Sequence, residues 1–248
     1  MFFAAFFFIY QYLQLVLDLS PLMAGVWTLP SFGAFIVGSM LAPALVRRVQ
    51  PAFIMAPGLV IGALGFLLLT QVQADAGLPL LVSATAIASL GIAPLFTLTN
   101  DLIIGCAPPE KAGAASGISE TGAELGGALS IALLGTLGTA VYRMQVDDGI
   151  PAGVPAEDAN AARDTIGGAV AASDQLPQPL AAQVLDAARE AFTQGFQAAA
   201  LASAVIAAVT AVVAAFGLRH LRARREPEPA PAQMGGASAP AAAAELEG

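Results

Sequence analysis

Residues 112–142, AGAASGISETGAELGGALSIALLGTLGTAVY, are long and apolar, and Glu120 and Glu124 are their only charged side chains. The run exceeds the roughly 20 residues that a helix needs to cross hydrocarbon. An ionised group near the bilayer centre costs on the order of 3 kcal/mol even on the mildest scales, so two of them require a compensating environment. At roughly 100° per residue, Glu120 and Glu124 share one helix face. Gly113, Gly117, Gly127, Gly135 and Gly138 fall within about 60° of that face, and Ile118, Leu125 and Leu129 lie opposite. Carboxylates and glycines together make a poor lipid contact; they suit a water-filled cavity or close packing against another helix. Counted from Ala112, Glu120 lies about 12 Å along the helix and Glu124 about 18 Å, which places Glu124 near the expected midplane.

The remaining chain has the same character. It is 57% hydrophobic and 11% charged, whereas soluble domains carry about a quarter charged residues. The composition predicts an all-α integral membrane protein. Six apolar segments are expected to span the bilayer, near 1–17, 22–46, 52–73, 78–105, 112–142 and 194–218. The first is short, and no basic segment precedes MFFAAFFF, so the chain reads as truncated at its N-terminus or as one half of something larger. A single cysteine, Cys106, and a single histidine, His220, leave no basis for a disulfide framework or a Cys/His metal site. No cofactor and no nucleic-acid partner are expected.

Most connectors are tight. Ser20-Pro21 is a start signal for the second helix, and Arg47, Arg48 and Pro51 separate the second from the third. The exception is a long outer loop over 144–191, with eight acidic and two basic residues, expected as a solvated face. In its later part Leu180, Val184, Ala188 and Phe192 recur at helical spacing, which predicts a short amphipathic helix leading into the last span. Residues 1–225 form one unit, and 226–248 are a Pro/Ala-rich tail expected to be disordered. Arg47, Arg48, Lys111, Arg219, Arg222, Arg224 and Arg225 all fall on one side of a six-span alternation. That side is therefore expected to be cytoplasmic, with the C-terminus inside, the acidic loop outside and Arg219–Arg225 anchoring the last helix at anionic headgroups.

Other polar residues in the spans are candidates of lesser weight. Asp101 precedes the expected end of the fourth span by about 7 Å and reads either as interfacial or as a cavity carboxylate. Tyr10, Gln11, Tyr12 and Gln14 crowd the first span. They offer aromatic and hydrogen-bonding contacts to a flat cation, or they form an interfacial belt.

Two stretches, YQYLQLVLDLSPLMAGVWTLP and PPEKAGAASGISETGAELGGALSIALLGT, resemble the C-terminal half of a major facilitator superfamily drug/proton antiporter of the fourteen-span (EmrB/QacA-like) type. The resemblance covers nearly the whole chain up to about residue 225. It implies an alternating-access exporter of the bacterial plasma membrane, in which this six-helix half-bundle faces an absent N-terminal half across a central cavity. The fifth helix of each half lines or borders that cavity, and here the fifth span carries Glu120 and Glu124. Gly122, Gly126 and Gly127 are only a loose echo of the family's antiporter glycine motif. Between spans two and three, Gly38, Arg47 and Arg48 remain of the family's loop signature, but its aspartate is missing.

A carboxyl group in a low-dielectric wall holds its proton more tightly, and a second carboxyl one turn away tightens one of the pair further. An entering lipophilic cation favours the ionised form, so proton and cation compete for one site. On this reading Glu124 is the principal proton and cation site and Glu120 its partner. Alternatives are a metabolite permease of the same fold and a truncated, non-transporting membrane fragment. A membrane-embedded enzyme is disfavoured, because no metal cluster, phosphate-binding loop or nucleophile–histidine pair is present in the sequence.

Overall fold

The structure is a computed structural model that describes residues 1–74 and 77–217. The expected tail at 226–248 and the basic run at 219–225 lie outside the described residues. In hydrocarbon every backbone N–H and C=O must be satisfied within its own segment, and the apolar runs accordingly form helices. These are α1 (Phe2–Gln11), α2 (Pro21–Val46), α3 (Ala52–Leu69), α4 (Leu78–Cys106), α5 (Ala112–Val146), α6 (Ala156–Asp164), α7 (Ile166–Ser173) and α8 (Gln178–Gly217). No strand occurs among the described residues. Five helical stretches are long and apolar enough to cross a membrane: α2, α3, α4, α5 with its flanking turns, and α8. The chain is thus a multi-pass, all-α membrane protein.

The first span is the one that falls short of the expected six. α1 passes into a π-helical turn, Tyr12–Val16, and the apolar helix ends there. Its end is built around Asp18, at φ 53°, the only non-glycine residue with positive φ among those described. The short polar side chain of aspartate tolerates this left-handed geometry. Ser20 then caps α2 by accepting a 3.3 Å bond from the Met23 amide, with Pro21 in the first helical turn.

α4 packs against α2 and α3, and α8 packs against α3 and α5. Small residues set these crossings, as is usual where helices meet without a hydrophobic driving force. A Cβ on Gly58 would lie 2.7 Å from the Gly91 carbonyl oxygen, and one on Gly91 would run into the backbone of Gly62. On α5 and α8, a Cβ on Gly195 would lie 2.5 Å from the Gly138 carbonyl oxygen. The main core joins Phe8, Tyr12 and Leu13 of the first helix to Phe66, Ile92, Leu134, Val184 and Phe196.

The outer loop differs from expectation in extent and order. α5 continues past residue 142 to Val146, and α8 is one continuous helix of 40 residues in place of a short amphipathic helix followed by a span at 194–218. At 1.5 Å per residue α8 is about 60 Å long, twice the hydrocarbon thickness, so about half of it stands outside. Its outer part buries Val184, Ala188 and Phe192, the predicted apolar stripe. The residues between α5 and α8 form α6 and α7, which bury Ala159, Ala162, Ile166, Ala169 and Ala172 while Asp147, Glu157, Asp164 and Asp174 stay exposed. The acidic side is solvated as expected, and the alanine side is docked. Tyr142 fastens it by donating a 2.6 Å bond to the Ala162 carbonyl, and Arg163 meets Asp147 at 2.6 Å. Arg189 of α8 donates to the Leu15 carbonyl in the π turn at 3.3 Å, tying α8 to the end of the first helix.

The glycine crossing yields a direct comparison. Gly91→Val should cost about 1–3 kcal/mol by overpacking and lower the apparent melting temperature in detergent. Gly105→Ala, where an added Cβ meets nothing within 4 Å, should leave it unchanged or raise it.

Candidate proton and substrate site

The face of α5 that carries the glutamates changes character along its length. From Gly127 onwards it is the packed side of the helix: Gly127, Ser130, Leu134, Gly138, Tyr142 and Val146 are buried. A Cβ on Gly127 would lie 3.1 Å from the Phe3 ring, and one on Gly138 would lie 2.5 Å from the Phe8 ring. Before Gly127 the same face is uncovered. Glu120 and Glu124 are exposed, and at Gly113 and Gly117, on their side of the helix, an added Cβ would meet nothing within 4 Å. The sequence offered a cavity or close packing as two readings of one glycine face. The structure divides them, with packing in the later half and open space in the earlier half.

Among the described residues neither glutamate has a hydrogen bond or an ion pair. Unpartnered carboxylates on an apolar span are unstable against hydrocarbon, and each needs water, a proton or a cation at its oxygens. No arginine, lysine or histidine lies on the described part of the same helix before Arg143. Asp101 is exposed on α4, five residues before its end at Cys106.

The four polar candidates of the first helix do not converge, because successive helix positions point about 100° apart. Tyr10 and Gln14, one turn apart, share a side. The Tyr10 hydroxyl sits 3.3 Å from Thr28 Oγ1 on α2, and Gln14 Nε2 donates to the Tyr10 carbonyl at 3.3 Å. Gln11 is turned towards α5, α6 and α8 instead, where it lines a cavity of about 160 Å³ with Phe7, Tyr142, Asp164 and Phe192. Tyr12 is turned inward. It is 0% exposed, its hydroxyl donates to the Gln73 carbonyl, and its ring lies 5.9 Å from that of Phe196. Tyr12 is a core residue in this fold.

A half-exposed aromatic ladder, by contrast, escaped the sequence reading. Phe2, Phe6 and Tyr10 follow one another at four-residue spacing on α1. Phe6 lies 5.4 Å from Phe32, and Phe2 lies 5.5 Å from Phe35 on α2 and 6.1 Å from Phe96 on α4. Phe32 and Phe96 remain 44% and 37% exposed. Such ring faces can attract a desolvated cation by about 2 kcal/mol. The signal was present as the spacing 2, 6, 10, but it was masked by the all-apolar composition around it.

The two tyrosines should separate by stability. Tyr12→Phe removes a hydrogen bond that a fully buried side chain donates to the carbonyl of exposed Gln73, and should cost about 0.5–1.5 kcal/mol. Tyr10→Phe breaks only a long, partly solvated bond and should cost under about 0.5 kcal/mol. Thermal unfolding in detergent compares them.

Relatives of known description bear on what such a site serves. The family model described as Major Facilitator Superfamily matches residues 1–131. The chain is 39% identical over 214 residues to the multidrug efflux pump LfrA of Mycolicibacterium smegmatis, an alignment covering 86% of this chain and 42% of that protein. It is 30% identical over 237 residues to the tetracenomycin C resistance and export protein of Streptomyces glaucescens, covering 93% of this chain and 44% of the relative. With the methyl viologen resistance protein SmvA of Salmonella typhimurium it shares 32% identity over 182 residues, 73% of this chain and 36% of the relative. The chain thus spans less than half the length of the curated relatives it matches. Transport proteins, not enzymes, are what it is similar to. The chain belongs to the Major Facilitator Superfamily.

Proposed function

We propose that this chain is the C-terminal half of a proton-coupled exporter of lipophilic cations, working by alternating access in a bacterial plasma membrane with its C-terminus in the cytoplasm. The observation that carries the reading is the pair Glu120 and Glu124, exposed and unpartnered on the open half of an otherwise apolar helix. Support comes from the relatives whose names describe multidrug efflux, tetracenomycin C export and methyl viologen resistance.

In this mechanism Glu124 exchanges a proton for a cation. Protonated, the carboxyl is neutral and tolerates an apolar wall; ionised, it attracts a cationic solute whose charge replaces the proton. Glu120, one turn away, offers the same cargo a second carboxyl group, and cargo and proton compete for the pair. The rings of Phe2, Phe6, Phe32, Phe35 and Phe96, with Tyr10 and Gln14 beside them, supply the flat apolar contacts that a lipophilic cation requires. Asp101 has a secondary place, on the neighbouring helix nearer the surface. The remaining wall of the cavity comes from an N-terminal half that is a partner of this chain.

Glu124→Gln keeps the shape of the side chain and removes its exchangeable proton. In everted vesicles containing the intact encoded protein, the variant should abolish cation-triggered proton movement, and Glu120→Gln should weaken it. Wild-type coupled efflux in Glu124→Gln would overturn the assignment.

A further inference from the structure

A second recess lies along one face of α8. It is open, has a volume of about 540 Å³ and is formed by Glu190, Gln194, Gln197 and Leu201 of α8, with Thr70 just after α3 and Val141 of α5. The volume falls within the range of about 300–1,000 Å³ typical of sites for small molecules. The α8 positions recur at steps of three and four residues and therefore make one stripe. Its character changes along the helix: Glu190, Gln194 and Gln197 are polar, whereas Leu201 and Val205 beyond them are apolar and exposed. Residues 198–217 carry no charged or amide side chain. At 1.5 Å per residue they cover about 30 Å, the thickness of the hydrocarbon. The boundary between hydrocarbon and headgroups thus crosses α8 near Gln197, and the recess straddles it.

The hydrogen bonds of the recess leave it rich in acceptors. Gln194 Nε2 donates to Glu190 Oε1 at 3.1 Å, Gln197 Nε2 to the Val72 carbonyl at 2.8 Å, and Thr70 Oγ1 to the Leu67 carbonyl at 2.7 Å. Each donor atom therefore already has an acceptor within the protein. The second Glu190 oxygen and the amide oxygens of Gln194 and Gln197 accept no bond among the described residues. No lysine or arginine lines the recess. The nearest arginines in sequence are engaged elsewhere, Arg143 with Asp164 and Arg189 with the Leu15 carbonyl. Asp186, one turn before Glu190, is exposed and has no ion pair among the described residues, so it adds to the negative charge at this end. An anion would be repelled here. A neutral apolar occupant would strip water from the carboxylate without replacing its bonds. A quaternary ammonium supplies charge but no N–H. A primary ammonium supplies both, with three donors for the free acceptors beside the carboxylate.

We propose that this recess binds the headgroup of an aminophospholipid, phosphatidylethanolamine, whose ammonium is held by Glu190 and the amide oxygens of Gln194 and Gln197 while an acyl chain lies along Leu201 and Val205. The occupant is a lipid, and not a soluble amine, because the stripe runs without a break from the acceptors into the apolar side chains of the span. The bound headgroup joins the end of α3 to α8 at the membrane surface through charge-assisted hydrogen bonds. The site needs only the membrane placement of the chain and is independent of the proton-coupled export reading.

The test uses Val205→Cys, labelled with bimane in the intact encoded protein on a background without other cysteines. Val205 is exposed one turn beyond Leu201 and does not line the recess, so the label reports the acyl chain on the stripe without filling the headgroup site. The labelled protein is placed in phosphatidylglycerol nanodiscs with rising fractions of tail-brominated phosphatidylethanolamine, its N,N-dimethyl form or phosphatidylcholine. Half-maximal quenching should occur at an about fivefold lower mole fraction of phosphatidylethanolamine than of phosphatidylcholine, with the dimethyl form between them. Glu190→Gln should reduce that preference, and Glu190→Gln with Gln194→Leu should erase it while quenching by phosphatidylcholine stays unchanged. Equal midpoints for the lipids before these substitutions would overturn the proposal, as would a preference that survives the double variant, because the lipid would then be held elsewhere. Relief of quenching by O-phosphoethanolamine, the headgroup without tails, would assign the recess to a soluble amine and overturn it as well. Absence of quenching by every lipid would show the stripe to be covered by protein, with the same consequence.

Discussion

A carboxylate without a partner is tolerated inside a membrane only where water, a proton or a counter-charge reaches it, and the placement of α5 answers to that constraint. The helix is held along one half and left open along the other. Phe3, Phe8 and Gly195 close over its face from Gly127 to Val146, where no side chain carries a charge except Arg143. The charged half, from Ala112 to Gly126, carries no such cover.

The rest of the bundle makes this asymmetry possible. Gly138 and Gly195 bring α5 and α8 into backbone contact towards the C-terminal end of α5, and α6 and α7 lie across that end, secured through Tyr142, Arg163 and Ala162. Arg189 extends the same fastening to the π turn of the first helix. α5 is therefore anchored from its C-terminal half, which leaves the glutamate-bearing half standing free of its own bundle. The same close approach recurs between α3 and α4, where Gly58, Gly62 and Gly91 draw two backbones together.

Much of this was legible in the residues. Apolar length gave α2 to α5 within a few positions, and helical projection put Glu120 and Glu124 on one face, because both signals depend only on local geometry. The failures have a common cause in tertiary contact. The change of hydropathy near residue 194 suggests two pieces for α8, yet Gly195 is the only glycine or proline between Leu180 and Phe216, and it sits where a neighbouring backbone requires it. The docking of α6 and α7 rests on alanines, whose small side chains carry little hydrophobic signal. Nearness in sequence groups Tyr10, Gln11, Tyr12 and Gln14, but the 100° step sends Tyr12 into the core and Gln11 towards Tyr142 and Asp164, leaving Tyr10 and Gln14 together.

The proposal for export depends on the open half of α5 meeting water in place of acyl chains. Single cysteines introduced one at a time at positions 118, 120, 124, 125 and 129, with Cys106 replaced by Ser, measure that exposure through their reaction with a charged, membrane-impermeant thiol reagent applied to each side of the membrane. The account predicts rapid labelling at 120 and 124 and no labelling at 118, 125 and 129 on the opposite face. The reverse pattern, or no labelling at any of the five, would contradict it.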